Sequence, residues 1–408
     1  MSMFDKYAQT PSVAPTETLE LLSDEVTGGL TKDYLEINAI SKDLDKMLTS
    51  SYNLGMLEDK FDSIANESML SDRTLFYATQ SVNCELKSLG LEAIPGVDSI
   101  VGAKNKTKDI LASIFKAIKD AILKILNSIK EFFGKLFGLL RPYKERVDKL
   151  QKEVQEKSKG KYKLQNDSPI KLPSTVISKD TKSIYDISRV MQELVSSGQG
   201  IRTTMLSISS KRIKNLTSFL INLKQDKLKP KDLIAGFKTT LDSQYKNLEP
   251  LVSKYKDSLG YKTFVENTFK YKLGDDLNYE EKWISFGESE SNPKSDHDVE
   301  VDLTRLKLSV LTDMLQSSSK ILEGFESSKS LVEKYYSDRE KSIKDAERVI
   351  VVNDNTVDTQ RVNTSIRAIL RILQRESLKP VVDFDKYSLD YVRFTISMTE
   401  KILKRYQA

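Results

Sequence analysis

Three residue types that build many functional sites are nearly absent from these 408 residues: there is one cysteine, one histidine and one tryptophan. A single Cys84 rules out an intramolecular disulfide and fits assembly in a reducing cytoplasm. One histidine, His297, and one cysteine cannot make a zinc ligand set, and no serine or cysteine has a marked histidine partner. His297 stands in a polar loop, and Cys84, among Val82, Leu86 and Leu89, is expected to be buried on a helix face. The chain has neither a G-x-x-x-x-G-K-[ST] nor a G-x-G-x-x-G phosphate loop. Gly198 and Gly200 are read instead as an interruption of a helix. The carboxylates Asp275, Asp276, Glu280, Glu281, Glu288 and Glu290 lack calcium-loop spacing and read as a solvated turn. No residue is assigned a catalytic role, no metal site and no cofactor are expected, and the chain reads as a non-enzyme. Glycine (16) and proline (10) are also scarce, which disfavours a β-rich fold. The N-terminus has no basic stretch followed by an apolar core, so no secretory signal is expected.

Helical periodicity fills most of the chain. It predicts helices over about 71–89, 180–223, 303–349, 358–378 and 386–406, with weaker ones before residue 70 and after Pro230. The stretch from Lys104 to Leu140 looks like the organising element. Its apolar residues, including Ile118, Ile125, Ile129, Phe133 and Leu136, recur in steps of three and four. Lys116, Lys119, Lys124, Lys130 and Lys135 take the other side. No uncharged run approaches the ~20 residues a bilayer crossing needs. Two readings stay open: a core helix of a bundle, with Ile118, Ile125, Ile129 and Leu136 buried, or a basic amphipathic helix lying on a membrane or partner surface. Arg141-Pro142 is expected to break this helix, with Pro142 opening the next. Residues 164–177 read as a connector. Around Leu273-Gly274-Asp275-Asp276, aromatic segments alternate and predict a β-hairpin near 266–288 that carries Trp283. The fold class expected is mainly α: one or more multi-helix bundles with a short hairpin insertion.

Charge is divided unevenly. Residues 1–92 hold 16 Asp and Glu against 7 Lys and Arg, a net of −9, which leaves +14 on residues 93–408. An acidic segment joined to a basic body can neutralise that body until it is removed or displaced. The sign changes at SLGLEAIPG, 88–96, which reads as an exposed linker. Three regions follow: an acidic helical part over 1–92, a basic helical segment over 93–163, and a helical C-terminal domain over 164–408. The densest basic run is Lys157, Lys159, Lys161 and Lys163. Such a run is either a solvated helix end or a contact for phosphates of nucleic acid or lipid.

The acidic patterns DYLEINAISKDLDKML and LSDRTLFYATQSVNCELKSLGLE lead into the basic helix IFKAIKDAILKILNSIKEFFGKLFG, and a helical C-terminal region carries a short aromatic segment near 268–303. In this the chain resembles the internal head proteins of giant phiKZ-like tailed bacteriophages. The resemblance implies a structural protein packaged with DNA in the head, assembled in the bacterial cytoplasm. It implies capsid or other inner-head proteins, non-specifically bound packaged DNA and a prohead protease as partners; a membrane surface is the alternative partner of the basic helix. It also implies trimming after a Ser/Ala/Gly-x-Glu tripeptide. Gly90-Leu91-Glu92, followed by Ala93, matches within the linker, and cutting there would remove the acidic part. Ser23-Asp24-Glu25, Ala65-Asn66-Glu67 and Gly324-Phe325-Glu326 match as well.

Overall fold

A computed structural model describes residues 72–88, 90, 93–94, 107–160, 162–165, 168–172, 176–222, 246–255, 258–272, 278–303, 306–347 and 379–407, with a few isolated positions besides. The helices expected before residue 70 and over 358–378 lie outside the described residues. Within them the helices are α1 (Asp72–Ser88), α2 (Thr107–Lys159), α3 (Ile184–Ile221), α4 (Glu249–Lys254), α5 (Leu308–Glu347) and α6 (Lys379–Leu403). The strands are β1 (Lys163–Leu164), β2 (Ile170–Leu172), β3 (Lys262–Lys272), β4 (Asn278–Glu288), β5 (Val299–Val301) and β6 (Tyr406–Gln407). The fold is mainly α, as expected. The predicted hairpin is β3–β4, antiparallel, with Phe264 opposite Phe286 and Lys262 opposite Glu288.

The element at the centre is α6, not the stretch before Leu140. From Pro380 to Leu403 its described side chains are buried or half-buried except Lys401. It packs on α2, α3, α5 and the hairpin. Buried Ser388, Thr395, Thr399 and Glu400 hide this from an apolar count. Three of the four are matched: the Ser388 hydroxyl donates to the Phe384 carbonyl (2.9 Å), the Thr395 hydroxyl to the Met191 sulfur (2.7 Å), and Glu400 accepts from Arg146. Pro380 sits in the first turn, where its missing N–H removes no helical bond.

Arg141-Pro142 does not break α2, which runs through it for 53 residues. A mid-helix proline costs about 3 kcal/mol. Burial of Leu140 and Tyr143 on either side, then Val147, Leu150 and Val154, offsets that, because each buried side chain contributes about 1.5–3 kcal/mol. Nor do Gly198 and Gly200 interrupt α3. At Gly198 a side chain would meet Phe384 at 3.7 Å and the Arg202 guanidinium at 3.3 Å, so glycine there admits close packing on α6. The start of α3 is fixed by a capping box. The Asp186 carboxylate accepts from the Ser183 N–H (2.9 Å), and the Asp186 N–H donates to the Ser183 hydroxyl (3.3 Å).

The supposed connector holds two short strands. β1 pairs with β6 and β2 with β5, both antiparallel. The hairpin docks on α6 through Phe264, Phe286 and Phe384; the Phe286 ring lies 5.0 Å from Phe264 and 5.6 Å from Phe384. Trp283 lies under the Arg212 guanidinium of α3 at 4.7 Å. At the hairpin's entry Gly260 has φ +80°, and a side chain there would stand 2.7 and 2.8 Å from the Tyr387 and Tyr391 hydroxyls. The Tyr387 hydroxyl donates to the neighbouring Leu259 carbonyl (2.7 Å), and the Asn292 amide donates to the Gly260 carbonyl (2.9 Å).

Candidate processing segment and basic surface

α1 packs on α2, burying Val82 and Leu86 one turn apart. Cys84 lies two residues on, about 200° round the helix, and is exposed rather than buried. The helix ends at Gly90, whose φ of +66° and N–H to the Lys87 carbonyl (3.0 Å) close the last turn. Ala93 is exposed, and the chain then turns back. The Ile94 side chain is buried, and its N–H donates to the Asn83 side-chain oxygen (2.8 Å). Of the linker expected from the sequence, Gly90 and Ala93 are exposed and Ile94 is not, while Pro95 and Gly96 lie outside the described residues. Leu91 and Glu92 lie outside the described residues, as do Ser23-Asp24-Glu25 and Ala65-Asn66-Glu67. Gly324-Phe325-Glu326 lies within α5, with Phe325 buried. A helical tripeptide with a buried centre cannot enter a protease as an extended chain.

In the first half of α2, Ile118, Ala121, Phe133 and Leu140 are buried, while Lys116, Lys124 and Lys130 are exposed. Phe133 lies against Phe137 (6.3 Å between ring centres) and Tyr336 of α5 (5.9 Å). The side chains of Ile125, Ile129 and Leu136 lie outside the described residues. So α2 has an intramolecular partner in α5, and no described helix is long and apolar enough to cross a membrane.

The lysine run is spread out by the fold. Lys157 is half-buried; its ammonium donates to the Tyr406 carbonyl (2.9 Å) and lies 4.8 Å from the Tyr162 ring centre. Lys159 is exposed at the end of α2, and Lys163 is exposed on β1 opposite Gln407. Lys161 lies outside the described residues. The pairing of β1 with β6 adds basic residues that the sequence reading did not group with this run. Lys404 is exposed, and Arg405 donates to the Ser168 carbonyl (2.6 Å). Lys307, at the start of α5, shares an open cleft of about 660 Å³ with Lys159. Charge runs are visible in sequence; convergence across some 150 and 240 residues of chain is not.

The buried charges serve the core. Arg202 of α3 and Asp385 of α6 form an ion pair at 2.6 Å. The Arg202 guanidinium lies 4.3 Å from the Phe325 ring centre. Burial raises the Asp385 pKa, with Arg202 opposing it. Arg146 of α2 pairs with Glu400 of α6. Lys262 lies among the rings of Tyr261, Phe286 and Tyr387, and burial lowers its pKa against the pull of Asp383 and Asp390. His297 is exposed. Among the described residues no group of His, Cys, Asp and Glu could hold a metal ion.

Compared with known proteins, no curated sequence and no solved structure matches the chain. Residues 85–401 match a protein family described as phiKZ-like phage internal head proteins. The match spans α1's last turn, the long α2 and the aromatic hairpin, and ends within α6. The chain belongs to the phiKZ-like phage internal head proteins, and its place is inside the phage head.

Proposed function

We propose that this protein is made as an acidic–basic precursor of a giant phage's head, and that the prohead protease cuts it after Glu92. The basic body then lies beside packaged DNA and neutralises phosphate charge, with capsid or other inner-head proteins as neighbours and without catalysis. One coincidence carries the reading. The family match begins at residue 85, the Gly90-Leu91-Glu92 tripeptide follows, and the chain's charge changes sign at the same place. The cut would separate −9 from +14. A segment removed during maturation has no role in the finished particle, so it can carry charge that the finished body must not.

The experiment compares intact protein with protein cut at Glu92 for binding to random duplex DNA. The cut form is expected to bind more tightly at low salt. Its affinity should fall on a log–log plot against salt with a slope near −0.9 for each phosphate neutralised. Equal binding by both forms, or none by either, would remove the masking role and leave the acidic segment as a docking or sorting element.

A second reading rests on the contact of α1 with α2. Release of residues 1–92 would take away Val82 and Leu86, which α1 buries, and bare part of α2 for a membrane surface during ejection. Flotation of cut but not intact protein with anionic vesicles supports this reading; flotation of neither refutes it.

A further inference from the structure

A net charge of +14 scattered over the body would give a weak field beyond a Debye length of about 8 Å at physiological salt. Binding of phosphate therefore depends on where cations converge. The open cleft where the end of α2, the start of α5 and β6 meet is such a place. Lys159, the last residue of α2, and Lys307, just before α5, line it, and both are exposed. Ser309 adds a hydroxyl, whereas that of Ser158 donates to the Val154 carbonyl (2.7 Å). The first turn of α5 carries no acidic residue, so the positive end of that helix is not offset within its own first turn. Tyr406 also lines the cleft, and burial raises the pKa of its phenol, so that it stays protonated. A phenol in this state can donate to an anion. The opposing group is Asp313, the one carboxylate on the lining. Outside the cleft, the β1–β6 pairing holds Lys163 at the same corner, with Lys404 two residues before Tyr406. Two cations at a concave surface hold an anion better than two on a flat one, because the low-dielectric walls concentrate their field.

We infer that this cleft seats a backbone phosphate of DNA, with Lys159 and Lys307 as its cations and the Tyr406 hydroxyl as a neutral donor. The inference rests on the DNA-contact reading above and gives it a place. It also changes the contact set. Lys307, distant in sequence, joins Lys159, while Lys157 serves mainly to hold β6 against α2.

The test uses the full chain and the form cut after Glu92, at low ionic strength, with a labelled random-sequence duplex followed by fluorescence anisotropy. Lys159→Gln with Lys307→Gln is expected to weaken binding about tenfold and to lower the salt slope by about 2, one counterion for each lysine. The matched control, Lys116→Gln with Lys130→Gln, removes the same charge from exposed sites on α2 and should change affinity by less than about twofold. Tyr406→Phe should weaken binding with the slope unchanged, since it removes a donor and no charge. Equal losses in the two double variants would overturn the cleft while leaving general DNA neutralisation intact. Inorganic phosphate supplies the second arm. If it perturbs the Ser309 amide resonance but the cleft variants bind duplex normally, the cleft takes free anions and the inference fails. If neither the unaltered chain nor the form cut after Glu92 binds duplex, the reading under Proposed function fails, and this inference with it.

Discussion

Asp385→Ala is the substitution whose outcome the core geometry specifies most sharply. The Arg202 and Asp385 side chains are 3% and 8% exposed and meet at 2.6 Å. Around the guanidinium stand Phe325 and Phe384, with ring centres at 4.3 and 5.6 Å, and the bare backbones of Gly198 and Gly324. Removing the carboxylate leaves a cation in an apolar cage. Breaking a buried pair from one side costs about 3–5 kcal/mol, a large share of the ~5–15 kcal/mol that keeps a domain folded. Replacing both partners, Arg202→Met with Asp385→Leu, removes the charge and its desolvation together and should be near neutral or stabilising. The pH dependence follows from the raised pKa of Asp385. Between the ordinary aspartate value and the raised one, the folded state binds more protons than the unfolded state. Stability from this group is therefore full at low pH and is lost as pH rises through the folded value. Asp385→Asn should flatten that slope. Urea denaturation followed by circular dichroism across pH reads all three variants. A loss under about 1 kcal/mol for Asp385→Ala, or an equal loss for the double variant, would refute the argument.

Gly260→Ala combines a left-handed backbone, worth about 1–2 kcal/mol, with displacement of two buried tyrosines. It should destabilise by about 2–4 kcal/mol, since the bond from Tyr387 to Leu259 is lost as well; a thermal midpoint within a degree of the parent would contradict this. Gly200→Ala has open space around it and should stabilise α3 by about 0.5–1 kcal/mol. Gly198→Ala, which meets Arg202 and Phe384, should gain less or lose; the same denaturation assay decides, and equal gains would refute the close packing.

Local features of the fold were legible in the sequence, and long-range ones were not. The 3.6-residue apolar period located α1, α3 and α5 to within a few residues, and aromatic alternation around a Gly-Asp turn located the hairpin. The same rules failed where tertiary packing outweighs local preference. Pro142 stays helical because Leu140 and Tyr143 are buried on both sides of it, and nothing near position 142 announces their partners. Gly198 reads as a breaker in sequence because the close approach of Phe384 comes from far along the chain. The central place of α6 is hidden in the sequence because its buried polar residues resemble a surface face. β1, β2, β5 and β6 have two or three residues each, too short to leave a period. The basic corner shows both sides of the limit: Lys157 to Lys163 stood out as a run, while Lys307 became part of the site only through the meeting of α2 with α5.

The processing claim has the most direct test. Particles are purified, digested and searched by mass spectrometry for the N-terminal peptide of this chain. The account predicts a mature N-terminus at Ala93, with peptides from residues 1–92 depleted and none spanning Glu92-Ala93. Spanning peptides at the same abundance as those from α3 or α5 would show that the acidic segment stays in the head, and would contradict the account.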